Sequence, residues 1–168
     1  MKRIIILTAL FLLLLPVIQT KAKTKVPELT FEETVETMVR EHKIMLDRLI
    51  AAWEHRQEEI NLLAEVIYHE NWHTDKEHLA AYYTGAVVMN RVNSKAWPDT
   101  VKKVLYQKGQ YSTTKLFFTK ELPEECYEMA RDIYRNGTPD VPANVIFQAM
   151  RPLGKTWKKV NTDYFCYG

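Results

Sequence analysis

The stretch Val66-Ile67-Tyr68-His69-Glu70-Asn71-Trp72-His73 gathers the side chains most able to do chemistry. One glutamate stands between two histidines at the end of an apolar helical run. Read as His-Glu-x-x-His, the spacing would put His69 and His73 on one helical face as zinc ligands. Glu70 would then be the general base toward a metal-bound water, as in a metalloprotease. A third ligand would have to come from Asp75, Glu77 or His78. Helices of that class continue past the second histidine, whereas here the pattern breaks at Thr74-Asp75 and no Gly-x-x-His extension follows. Read without a metal, Glu70 is a carboxylic acid at a helix end beside Tyr68 and Trp72. Such a setting raises a carboxyl pKa and suits the group to protonate a glycosidic oxygen. Asp75 or Glu77 would then be at hand to activate water.

The elements that must position Glu70 are mostly helices. Residues 23–29, with Pro27, read as a linker, and Thr30-Phe31-Glu32-Glu33 is a capping-box start. Phe31, Val35, Met38, Val39, Met45, Leu46, Leu49, Ile50 and Trp53 then recur at helical spacing. They predict one long amphipathic helix, or two with a break near His42, whose stripe packs on the body that follows. The stripe is irregular for strict heptads, and residues 30–55 are left as a candidate segment for a partner or for self-association. Arg56 to Glu59 reads as a polar separator before a helix carrying Ile60, Leu63, Val66 and Ile67. A third helix is predicted over His78 to Val92, in which Gly85 would permit close backbone approach. Trp97-Pro98-Asp99-Thr100 reads as a turn and cap into a short helix with Val101, Val104 and Leu105. Gly109 to Lys120 reads as an irregular loop. Pro123 opens a helix over about Glu124 to Arg135, ended by Asn136-Gly137. Val145-Ile146-Phe147 and Tyr164-Phe165-Cys166-Tyr167 are short β-type runs expected to pair antiparallel. The fold class expected is α+β and mainly helical, with a small antiparallel β element preceded by a long amphipathic helix.

Four blocks occur in order: Glu58 to Glu70, Gly85-Ala86-Val87-Val88-Met89-Asn90-Arg91-Val92, Trp97 to Gln107, and Gly109-Gln110-Tyr111-Ser112. This succession closely resembles the SleB-like cell wall hydrolase family, which includes spore-cortex-lytic enzymes, from about Glu58 to Gly168. The resemblance implies a lysozyme-like domain acting on the glycan strands of peptidoglycan, between N-acetylmuramic acid and N-acetylglucosamine. It maps the catalytic glutamate to Glu70, and Gln110, Tyr111 and Ser112 to the lining of the sugar cleft. It implies neither a metal nor another cofactor. It also implies the chemistry of lytic transglycosylases, in which the sugar's own 6-hydroxyl attacks. Gly85, Asn90 and Arg91 read as packing and hydrogen-bonding residues. The rivals left standing are the zinc protease and a non-catalytic wall-binding domain. The chain departs from the family pattern at His69, Asn71, Trp72 and His73, and at Asp163, where the family usually has a histidine.

Met1-Lys2-Arg3, the apolar run Ile4 to Ile18 and the polar segment to Lys25 are the three parts of a secretory signal. Residues 1–22 are expected to be that signal or an uncleaved membrane anchor, 23–57 a linker and helix, and 58–168 the catalytic domain. The working domain would then lie outside the cytoplasmic membrane, secreted or bound to the envelope. Residues 23–77 carry 7 basic and 13 acidic side chains, and residues 78–168 carry 13 and 8. A basic C-terminal half suits an anionic polymer such as a cell wall. No Arg-rich run with interleaved aromatics occurs, which argues against nucleic acid. Cys126 and Cys166, in an exported chain, suggest one disulfide.

Overall fold

The computed structural model describes residues 30–168. The proposed signal and linker, residues 1–29, lie outside the described residues. In order, the elements are α1 (Phe31–Asn71), α2 (Leu79–Val92), α3 (Val101–Leu105), a 3-10 turn (Ser112–Leu116), α4 (Glu124–Asn136), β1 (Val145–Ala149), β2 (Thr156–Val160) and β3 (Asp163–Tyr167). The fold is α+β and mainly helical, as expected.

The described residues fall into two units that divide between Ile44 and Met45. In the first, Thr30 and Glu33 form the expected capping box: Glu33 N donates to Thr30 Oγ1 (3.3 Å) and Thr30 N to Glu33 Oε2 (2.8 Å). The apolar side chains Phe31, Val35, Val39 and Ile44 are exposed.

In the second unit, Met45, Leu46, Leu49, Ile50 and Trp53 are exposed as well. The expected packing of the stripe is therefore not found; burial on α1 begins at Glu59 and Ile60. Of the two alternatives for the first helix, the single long one is found, and it also continues through the expected separator Arg56 to Glu59. Residues 31–71 contain no glycine or proline, and polarity alone does not stop a helix.

Two apolar clusters organise this unit. Ile60, Leu63, Val66 and Ile67 of α1 pack with Val88 of α2, with Val101, Val104 and Leu105 of α3, and with Cys126, Ala130 and Ile133 of α4. Tyr83, Ala86 and Val87 of α2 pack with Val141, Val145 and Phe165 on the sheet side. Helix α2 thus has helices on one face and the sheet on the other. Gly85 makes this possible, since a Cβ there would lie 2.7 Å from Ile133 Cδ1 and 3.0 Å from Ile67 Cδ1.

The starts of the short helices are fixed by side chains. The Asp75 carboxylate accepts from Leu79 N (2.8 Å) and Ala80 N (3.0 Å) at the start of α2. Buried Glu59 accepts from Val101 N (2.8 Å) and Lys102 N (3.3 Å) at the start of α3, where Thr100 also caps Lys103 N (3.2 Å). The sheet has the order β1-β3-β2, antiparallel throughout, so β3 is central. Strand β2 is not among the expected elements. A two-residue turn, Asn161-Thr162, joins it to β3, with Asn161 in the left-handed region (φ 50°) that asparagine tolerates.

Cys126 and Cys166 are free and fully buried, which corrects the expected disulfide. Cys126 fills a core position on α4, while Cys166 on β3 has its Sγ 3.8 Å from Thr156 Oγ1. Each thiol serves as a small apolar group where it stands. Among the described residues no helix is long and apolar enough to cross a membrane.

Candidate active site

Glu70 is the penultimate residue of α1 and is half-buried. It lines a cleft of about 270 Å³ together with Arg91, Gln110, Tyr111, Gln148, Asp163 and the exposed Met150. Thr113 Oγ1, on the 3-10 turn, donates to Glu70 Oε1 at 2.5 Å. Burial pushes the Glu70 carboxyl above the usual range. The Thr113 hydrogen bond works against that rise, the negative charge of Asp163 adds to it, and His69 opposes it. The net effect is an acid that holds its proton more tightly than a surface glutamate.

Arg91 on α2 organises the opposite wall. Its Nε donates to Ile146 O (2.7 Å) and its Nη1 to Gln110 Oε1 (3.0 Å) and Tyr111 OH (3.4 Å), while its guanidinium sits 4.3 Å from the centre of the Trp97 ring. Asn90 Nδ2 donates to Pro142 O and Val145 O, each at 3.0 Å, tying α2 to the sheet. Both residues act as the sequence suggested. Tyr111 is buried, and burial raises its hydroxyl to about 12, so it faces the cleft as a neutral phenol.

Of the expected cleft residues, Gln110 and Tyr111 line the cleft with Glu70. Ser112 does not; it is exposed and lines an adjoining depression of about 350 Å³ that shares Gln110 and Tyr111. Thr113 and Gln148 are site groups beyond those expected, while Asn71 and Asp163 are among the positions that depart from the family pattern around the cleft. Thr113 follows directly on the Gly-Gln-Tyr-Ser block, which was the available signal. The others come together only through tertiary structure. Buried Asn71 is best satisfied with its amide nitrogen 3.1 Å from Asp163 Oδ2 and its carbonyl accepting from Gln148 Nε2 at 2.8 Å. The reverse orientation would set nitrogen against nitrogen.

The histidines do not act as a pair. Helix α1 ends at Asn71, so His73 lies beyond it, exposed and edge-on to Tyr68 with ring centres 5.0 Å apart. His69 turns toward Glu65, its Nε2 3.2 Å from Glu65 Oε2, and stacks on Phe117. The two atoms are close but misaligned, and neither has a hydrogen-bond partner. Burial lowers the His69 pKa and raises that of Glu65, which favours a neutral pair. The offered third ligands are engaged or remote: Asp75 caps α2, Glu77 is exposed, and His78 stacks on Trp72 at 3.7 Å while its Nδ1 donates to Trp72 O (2.7 Å). Among the described residues no three His, Cys, Asp or Glu side chains converge as a metal site requires. Asp75 is equally absent from the cleft as a second acid; Asp163 is the carboxylate that faces Glu70 there.

The family model for cell wall hydrolases matches residues 76–165, more than half of the chain. The chain belongs to the cell wall hydrolase family. The matched segment runs from the loop before α2 into β3 and holds Arg91, Gln110, Tyr111, Thr113, Gln148 and Asp163; Glu70 stands just before it. No curated protein and no solved structure matches the chain. Family membership makes this an enzyme of the cell wall, with peptidoglycan as its substrate.

Proposed function

We propose that this chain cleaves the glycosidic bond between N-acetylmuramic acid and N-acetylglucosamine, with Glu70 as the proton donor and lytic transglycosylation as the outcome. One observation carries the reading: Glu70 is a half-buried acid in a polar cleft, its proton affinity raised by burial and by Asp163. Protonated Glu70 gives its proton to the glycosidic oxygen as the C1–O bond breaks. The 6-hydroxyl oxygen of the muramic acid bonds to C1, and its proton returns to Glu70, which closes the cycle without water. Gln110, Tyr111 and the Arg91 that holds them form the wall against which the sugar binds. We also propose that residues 1–22 direct the chain across the cytoplasmic membrane, so that it works on the wall from outside.

The test is digestion of purified peptidoglycan by the purified chain in the presence of a chelator, with products read by mass spectrometry. Muropeptides ending in 1,6-anhydro sugar are expected, and none from Glu70→Gln. Loss of activity on chelation, or binding to the wall with no muropeptide released, would overturn the reading.

A further inference from the structure

Asp163 has no role in the proton cycle above, yet it is the second acid of the cleft. It opens β3 and is only 9% exposed. Its carboxylate is surrounded by neutral donors: Asn71 Nδ2 at 3.1 Å, Thr162 Oγ1 at 3.5 Å, and the side-chain amide of Gln148. Among the described residues no cationic side chain pairs with it. The guanidinium at the cleft, that of Arg91, is held by Ile146, Gln110 and Tyr111 instead. A buried carboxylate without a cation is costly to a fold, and such groups gather where their charge is used.

We propose that Asp163 is a positioning residue for Glu70, a fixed anion across the cleft that keeps the proton on Glu70 until the glycosidic oxygen takes it. The inference rests on the reading of Glu70 as proton donor. Two acids facing one cleft titrate as a pair and share a proton unequally. The unequal supply of donors decides the sharing. Burial raises the Asp163 carboxyl as it raises that of Glu70, but Asp163 is met by donors from Thr162, Gln148 and Asn71 that favour its charged form, whereas Glu70 has Thr113 alone. The charge therefore rests on Asp163 and the proton on Glu70. The other groups facing Glu70 do not reverse this. His69, on the same helix, is held toward neutrality by burial; Tyr111 is a neutral phenol; the Arg91 charge is held by carbonyl, amide and hydroxyl acceptors on the far wall.

The experiment follows the Glu70 side-chain carboxyl by carbon NMR through a pH titration of the full chain, alongside the pH profile of kcat/KM on peptidoglycan. In folded Asp163→Asn the Glu70 midpoint falls, the basic limb moves to lower pH, and kcat/KM at neutral pH drops about 10- to 100-fold. Asp163→Glu restores the limb. Gln148→Leu is a second arm that leaves Asp163 in place. By weakening the charged form of Asp163 it also lowers the Glu70 midpoint. An unmoved Glu70 midpoint in folded Asp163→Asn, or Asp163→Glu behaving like Asp163→Asn, overturns the proposal. So does a change from anhydro to reducing-end products in Asp163→Asn, because Asp163 would then act on the nucleophile. A midpoint that moves in a chain that cleaves no peptidoglycan would leave the pair intact and remove the proton-donor reading.

Discussion

Thr113 Oγ1 donates to Glu70 Oε1 at 2.5 Å, from a 3-10 turn far along the chain from the helix that carries the acid. The bond favours the charged carboxylate, against the effect of burial. In Thr113→Val the Glu70 pKa should rise further. The basic limb of the kcat/KM profile should move to higher pH, opposite in sign to the shift expected for Asp163→Asn. Loss of the hydrogen bond that orients the Glu70 carboxyl should also reduce kcat/KM by about tenfold at the optimum. A limb that stays in place would show that Thr113 does not bear on the proton of Glu70.

Glu70→Gln should stabilise the fold while removing activity. The folded-state pKa of Glu70 is raised above its unfolded value, so the folded chain holds this proton more tightly. Stability contributed by the protonated form is complete below the unfolded pKa and is lost as pH rises through the folded one. Glutamine has no charge to lose. Urea unfolding at pH 7 should show Glu70→Gln about 1 kcal/mol more stable than the parent, in the range usual for relief of a strained functional site. The gain should shrink in acid. An equal gain at all pH values would mean that packing, not charge, is responsible.

Glu59→Ala removes the carboxylate that meets the first amides of α3 and leaves two donors beside a buried gap. A loss of about 1–2 kcal/mol is expected in urea unfolding with an unchanged m-value. Glu59→Gln, which retains an acceptor, should lose less.

Both thiols should survive purification in air. Burial raises the Cys126 thiol to about 12, with Glu125 and Glu65 adding to the rise, so it is a poor nucleophile. Alkylation after unfolding, without reductant, should add two labels per chain, and reductant should leave Tm unchanged. A mass two hydrogens short, with no labelling, would establish a disulfide instead.

The features legible in the sequence were those fixed locally. The Thr30/Glu33 box, the Thr100 cap, Pro123 at the start of α4 and the β-type runs at 145–147 and 164–167 each carry their signal within a few residues. Strand β2 carries none, because Lys158-Lys159 interrupts its alternation and only pairing with β3 makes it a strand. The continuity of α1 through Arg56 to Glu59 carries no local signal of its own, because polar residues are compatible with both a helix and a separator. Glu70 stood out at once as an ionisable group closing an apolar helix. Thr113 and Gln148 did not, since they reach it through tertiary packing; Asp163 showed only as a departure from the family pattern, and Asp75, nearer in sequence, is engaged in capping α2. Counting cysteines pointed to a bridge because the count says nothing about where each side chain settles.

The order β1-β3-β2 leaves β1 and β2 as edges and pairs β3 on both sides. Edges fray first, and a doubly paired strand opens only with the sheet as a whole. Amide exchange along Tyr164 to Cys166 should therefore be the slowest in the sheet. Asp163 begins that strand, so the second acid of the cleft is anchored to the sheet's least mobile strand, and the distance between the two carboxyl groups is protected from the breathing of the edges.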